Sequence, residues 1–284
     1  GMACATTDGA LQGHLTGFLG QLRSKLSPYI LGVHCAAHRT ALLFADAADL
    51  EELGEVDDII TSVHGLFSKS PKRLQQWERF ASKYGATAIK FPLFAKQRWL
   101  SRTGCVRTLL ANLPILIRYL RLVSEFSADK RWHAAAAVVL EKLDSKRALL
   151  LLHVAADLLQ PLEQLNLKFQ SDDLLPHHVP EAIDTCMRAL EPLLLQPLVN
   201  GERAKVFLAE VRDGVWSTTR NRFPISNIIN CNDGDDAEVD AFVIKLVKVV
   251  IKGIKARFDL KDTDLLSAFR AFDPICPDTE SVAG

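Results

Sequence analysis

The chain has 284 residues, 48% of them hydrophobic, which is enough apolar material for one large core or two smaller ones and excludes a disordered chain over most of its length. Lys plus Arg and Asp plus Glu each total 34, so no global positive field draws it towards nucleic acid, and any such contact must come from local patches. Six scattered cysteines form no dense disulfide framework, no apolar run reaches membrane-span length without a charge, and no leader pattern opens the chain, so the sequence reads as soluble, intracellular and not secreted.

Met2 to Thr7 is a short apolar and β-branched run stopped by Asp8-Gly9, the pattern of a buried strand ending in a turn. Leu11, Leu15, Phe18, Leu19, Leu22 and Leu26 follow at helical spacing up to Ser27-Pro28, and Tyr29 to Val33 is a second candidate strand. This is a β-α-β unit, and it predicts two neighbouring strands covered by the intervening helix. Cys35 to Ala48 has helical composition, so Cys35 and His38 lie one turn apart on one side.

From Leu50 onward strand signals nearly vanish. Ser70-Pro71 marks a helix start and Gly85 a helix end just after Tyr84. Ala86 to Gln97 is irregular or extended, and it leads Arg98-Trp99 into a helix carrying Val106, Leu109, Leu110, Leu113 and Leu116, which Pro114 is expected to kink or split. Further helices are predicted at Trp132 to Leu143, Arg147 to Phe169, Glu181 to Leu195 and Glu202 to Val211, with breaks at Pro161 and Pro192. Arg220 to Asp236 reads as a loop and Ala237 to Phe258 as the last long helix, with Lys245, Lys248, Lys252 and Lys255 on its solvated face.

Several residues could carry chemistry. Asp8, at a strand end, is a turn aspartate or a metal-binding acid. Cys35 and His38 supply two metal ligands where a structural zinc site needs four, and otherwise read as a buried thiol and a core histidine. Arg39 could pair with a carboxylate or a phosphate. Trp99 beside Arg98 is either a core tryptophan or a stacking surface for an unpaired base, with Arg102 and Arg107 as nearby cations. Lys69, Lys72 and Arg73 form a second, weaker basic group. No phosphate-binding glycine loop, nucleophile elbow or zinc-protease signature is present.

Thr7-Asp8-Gly9-Ala10, Cys35-Ala36-Ala37-His38-Arg39 and Gln97-Arg98-Trp99-Leu100-Ser101-Arg102 occur in this order. In motif order and setting the chain resembles transposases of the hAT superfamily, most closely between Thr6 and about Leu122. The resemblance implies a mainly α chain with a small α/β part. Residues 1–48 would form part of an RNase H-like core, residues 49–261 a large helical insertion domain, and residues 262–284 a tail leading back towards the core and a dimerisation region.

It further implies that Asp8 is one of three acids that hold Mg²⁺ or Mn²⁺ for DNA strand transfer, with Cys35 and His38 in supporting positions. Arg98, Trp99, Arg102 and Arg107 would face DNA, Trp99 against a flipped-out base. The other two acids find no counterpart in this sequence, and an opening strand that begins almost at once predicts further chain upstream. The expectation is a catalytically incomplete, nuclear, DNA-binding piece of such a protein, which oligomerises through a region outside this chain. Its rival is a domesticated protein–protein interaction module, a nuclear regulator with a vestigial acidic site.

Overall fold

The computed structural model describes residues 4–7, 17–28, 31–34, 38–40, 42, 50–85, 91–94, 99–171, 173–175, 177–217, 222–225 and 236–258. The chain is mainly helical and divides into two compact units, one from Gly1–Asp46, Gln164–Met187 and Val250–Gly284, the other from Ala47–Glu163 and Arg188–Val249.

In the first unit, β1 (Cys4–Thr7) and β2 (Leu31–His34) pair in parallel, Cys4 opposite Leu31 and Thr7 opposite His34, with α1 (Phe18–Lys25) between them in the chain. The β-α-β order read from the sequence is present, while Leu11 and Leu15, expected to extend the helix, lie outside the described residues. Parallel neighbours cannot be joined by a tight turn, so a helical crossover is the short way to connect them.

Among the described residues, the second unit is mostly helix, with one small hairpin. α2 (Glu51–Ser68) opens with Glu51 and Glu52 at the positive end of its dipole and buries Leu53, Val56, Ile60, Val63 and Phe67. α3 (Pro71–Lys83) starts as the sequence says, with the Ser70 hydroxyl accepting from the Arg73 amide and Pro71 in the first turn, and the chain leaves it through Gly85 at φ +64°. α4 (Trp99–Phe126) and α5 (Lys130–Leu143) pack on each other, and α2 packs on α3, α4 and α5. Asp129 caps α5, accepting from the Arg131 and Trp132 amides at 3.0 and 3.1 Å, and the bond from Trp132 holds its carboxyl below the usual range.

α4 runs through Pro114 without a split, one of the two outcomes expected there, and α6 (Lys146–Phe169) runs through Pro161, where a break is expected from sequence. Each proline removes one ladder bond, but apolar packing before and after it holds the helix together. Leu109, Leu113, Leu116 and Leu120 are fully buried around Pro114, and Leu158, Leu159 and Leu162 nearly so around Pro161. Pro192 does end a helix: α7 (His178–Leu190) tightens into a 3-10 turn at Glu191–Leu194.

After the short α8 (Pro197–Asn200), α9 (Glu202–Asp213) has no cap of its own at Gly201. Asp157 of α6 supplies it, its carboxylate accepting from the Arg203 amide at 2.9 and 3.1 Å and the Ala204 amide at 3.0 Å. Gly201 makes the approach possible, since a Cβ there would stand 2.6 Å from Asp157 Oδ2.

Strand signals do return late in the chain. Gly214, at φ +70°, turns α9 into β3 (Val215–Ser217), which pairs antiparallel with β4 (Arg222–Pro224) inside the stretch read as loop. Trp216 and Phe223 of this hairpin are buried. α10 (Asp236–Arg257) buries Val243, Val247, Val250 and Ile254 and exposes Lys245, Lys248, Lys252 and Lys255, the solvated face expected of it. No helix among the described residues is long and apolar enough to cross a membrane.

Candidate functional site

The residues singled out from the sequence fall along the chain at two places, one in each unit. The first is the carboxyl edge of the parallel strands. Thr7 and His34 are register partners at the ends of β1 and β2, and the next residues in the chain are Asp8 and Cys35. Asp8 and Cys35 themselves lie outside the described residues. Residues 38–40 are helical and His38, the first of them, is half-buried.

Arg39 has a defined role within this unit. Its Nη1 donates to the Arg257 carbonyl at 2.6 Å and its guanidinium lies 5.6 Å from the centre of the Phe258 ring. A cation on the last carbonyl of α10 meets the negative end of the helix dipole. Arg257 Nη2 donates in turn to the Leu42 carbonyl at 3.4 Å, and Phe169 packs on Phe258 with ring centres 5.7 Å apart. Arg39 thus ties the end of the Cys-Ala-Ala-His-Arg motif to the end of α10. Among the described residues, no three His, Cys, Asp or Glu side chains cluster as metal ligands would.

The second place is the entry to α4. Arg98 and the Trp99 side chain lie outside the described residues, while residues 91–94 before them and the helical turn from Ser101 to Cys105 after them are described. Residues 91–94 form neither helix nor strand, and each is held by a side chain. His64 Nδ1 donates to the Phe91 carbonyl at 3.0 Å, Cys105 Sγ to the Pro92 carbonyl at 3.6 Å and Ser101 Oγ to the Leu93 carbonyl at 3.0 Å, while Arg102 stacks 5.4 Å from the Phe94 ring centre. Phe91 itself is buried against Phe67 and Trp77, with ring centres 5.4 and 6.0 Å away. Burial pushes the Cys105 thiol pKa up, the charge of Asp57 adds to this and the Ser101 hydrogen bond opposes it, so Cys105 acts here as a neutral donor.

Arg102 corrects the sequence reading. Expected on a DNA-facing surface, it is wholly buried, with Nε and Nη2 each 2.6 Å from one oxygen of Asp57 on α2. A guanidinium with no exposed area cannot displace phosphate counterions. Its spacing carried the signal: Arg102, Val106, Leu109, Leu113, Leu116 and Leu120 all fall on one helical stripe, and all are fully buried. Nothing in the sequence joins His64, Ser101 and Cys105, whose shared target, the carbonyls of residues 91–93, is formed only by folding, and no motif marks Asp57 as the partner of Arg102.

Arg107 stays on the surface, 55% exposed, where its Nη2 meets Glu163 Oε1 at 2.6 Å. An exposed pair of this kind adds about 0–1 kcal/mol and yields readily to competition. Arg73, one of the second basic group, lies 4.5 Å from the Trp132 ring centre and so braces α3 against α5.

Comparison with known proteins finds no family model that matches this chain and no solved structure that matches it significantly.

Proposed function

We propose that this chain derives from a hAT-type transposase and binds DNA, with Arg98, Trp99 and Arg107 on the contact surface and Asp8, Cys35 and His38 around an acidic site. The observation that carries the reading is the parallel pairing of β1 with β2. It sets the residues before Asp8 and Cys35 opposite each other, at the strand ends where open α/β sheets gather their functional groups. The clamp on residues 91–94 adds support, since it holds four successive residues that precede Arg98 and Trp99 in the chain.

One identified acid does not hold two metal ions, so the proposed activity is binding, in the nucleus, and not strand transfer. Mg²⁺ or Mn²⁺ would need carboxylates beyond Asp8.

A labelled hairpin-ended DNA, compared with a blunt duplex of the same sequence by fluorescence anisotropy, tests this. Tighter binding of the hairpin, weakening as salt rises, is expected; absence of binding at low salt would overturn it.

A second reading, a domesticated interaction module for other proteins, draws on the zero net charge and on the burial of Arg102, which removes one of the four cations and aromatics expected to face DNA. It predicts no salt-sensitive DNA binding at all.

A further inference from the structure

A groove of about 340 Å³ opens in the helical unit between α3 and the second half of α4. Its floor is aromatic: Phe80 and Tyr119 have ring centres 5.0 Å apart, Tyr119 and Trp132 6.4 Å, and Tyr119 and Trp132 are nearly inaccessible. Burial pushes the Tyr119 hydroxyl pKa from its ordinary 10 up to about 12, consistent with a desolvated floor.

One wall does not fit a surface that only meets water. Leu122 and Phe126, one turn apart on α4, are 48% and 76% exposed beside this floor. A lone exposed apolar side chain is ordinary, but an apolar pair continuous with a concave aromatic floor has the form of a binding groove. The opposite wall carries Arg79 and Lys83, one turn apart on α3 and exposed. No carboxylate lines the groove, and neither cation forms an ion pair among the described residues.

We propose that this groove docks a short amphipathic segment of a protein partner, with apolar side chains seated on Leu122 and Phe126 and carboxylates meeting Arg79 and Lys83. Spacing of one turn on both walls matches an incoming helix whose apolar and acidic positions also repeat at three and four residues. Single-stranded nucleic acid fits less well. It needs a run of exposed ring faces for successive bases, and the groove offers one well-exposed ring, Phe126, while Tyr119 and Trp132 are covered and Leu122 and Val123 are aliphatic. The inference stands on the groove alone and holds whether or not the chain binds DNA.

The test is a phage-displayed library of random peptides about 15 residues long, enough for four helical turns. It is selected on the intact chain and counter-selected on two variants, Phe126→Asp and the double charge reversal Arg79→Glu with Lys83→Glu. All three positions are exposed, and thermal melting of both variants verifies that the fold is kept. The expected result is enrichment of peptides with Leu, Phe, Ile or Trp at helical spacing and Asp or Glu between them. Synthesised versions should bind at least about tenfold more weakly to each variant. Failure to enrich any peptide over the variants overturns the proposal, as does enrichment of peptides without acidic residues. Displacement of the selected peptides by oligo-dT in a manner that needs Arg79 and Lys83 would make the groove a nucleic-acid surface and would overturn it equally.

Discussion

Arg102 and Asp57 meet inside the helical unit as a two-pronged pair, Nε to Oδ1 and Nη2 to Oδ2, both at 2.6 Å, 45 positions apart in the chain. The guanidinium also covers Phe94, so one buried side chain joins α2, α4 and the 91–94 segment that leads to Arg98. Removing one member strands a buried charge. Asp57→Ala is therefore expected to cost about 3–5 kcal/mol in denaturant unfolding, whereas Asp57→Leu combined with Arg102→Met should recover most of that loss. If Asp57→Ala costs under about 1 kcal/mol, the pair is not closed off from water as described.

Asp157 and Gly201 give a second check on how the helices are joined. Asp157→Ala leaves the Arg203 and Ala204 amides at the start of α9 without their acceptor and should cost about 1–2 kcal/mol, the usual range for a lost cap. Gly201→Ala should cost about 1–3 kcal/mol, because the new methyl meets both Asp157 and the Pro197 carbonyl at 2.9 Å. The two should not add in the double variant, since each disrupts the same cap; simple additivity in thermal melts would argue against a shared cause.

Much of this architecture is legible in the sequence where a local rule decides it. Ser70-Pro71 and Gly85 bound a helix through capping and φ preference, which need no tertiary partner, and the β-branched runs around a helix yield the parallel strand pair. Two kinds of feature are not legible. Pro161 reads as a break, and Pro114 as a kink or split, because the local cost is visible and the burial that outweighs it is not. The Val215–Pro224 hairpin is hidden because three-residue strands show no period, and its stability rests on Trp216 packing on Phe207 and Phe223 on Tyr84, contacts that no local pattern announces. At the site, Arg102 illustrates the same limit. Motif logic places it with its neighbours Arg98 and Trp99, while its buried partner lies on another helix.

His153 supplies a pH-dependent term with a definite sign. Its ring stacks on Phe207 at 4.6 Å, both ring nitrogens are shut off from solvent without a hydrogen-bond partner among the described residues, and burial, with the nearby charge of Arg203, pushes its pKa from 6.5 down to about 3. The folded chain thus keeps His153 neutral where the unfolded chain protonates it. Its contribution to stability is complete above pH 6.5 and falls as pH drops from there towards 3. His153→Phe retains the stack and removes the proton site, so its unfolding free energy should fall less than that of the wild type as pH drops from 6.5 towards 3. Parallel curves for the two proteins would contradict the buried neutral ring.

Binding of hairpin-ended DNA by Trp99→Ala, set against the wild type across a salt series and with stability measured on the same samples, bears most directly on the transposase-derived reading. The expected result is a variant that unfolds like the wild type yet binds about 1–3 kcal/mol more weakly, the scale of one base stacked on one aromatic ring, with an unchanged salt slope because the cations remain. Equal affinity in both proteins, or a Trp99→Ala chain destabilised by about 3–5 kcal/mol as expected for a lost core tryptophan, would contradict it.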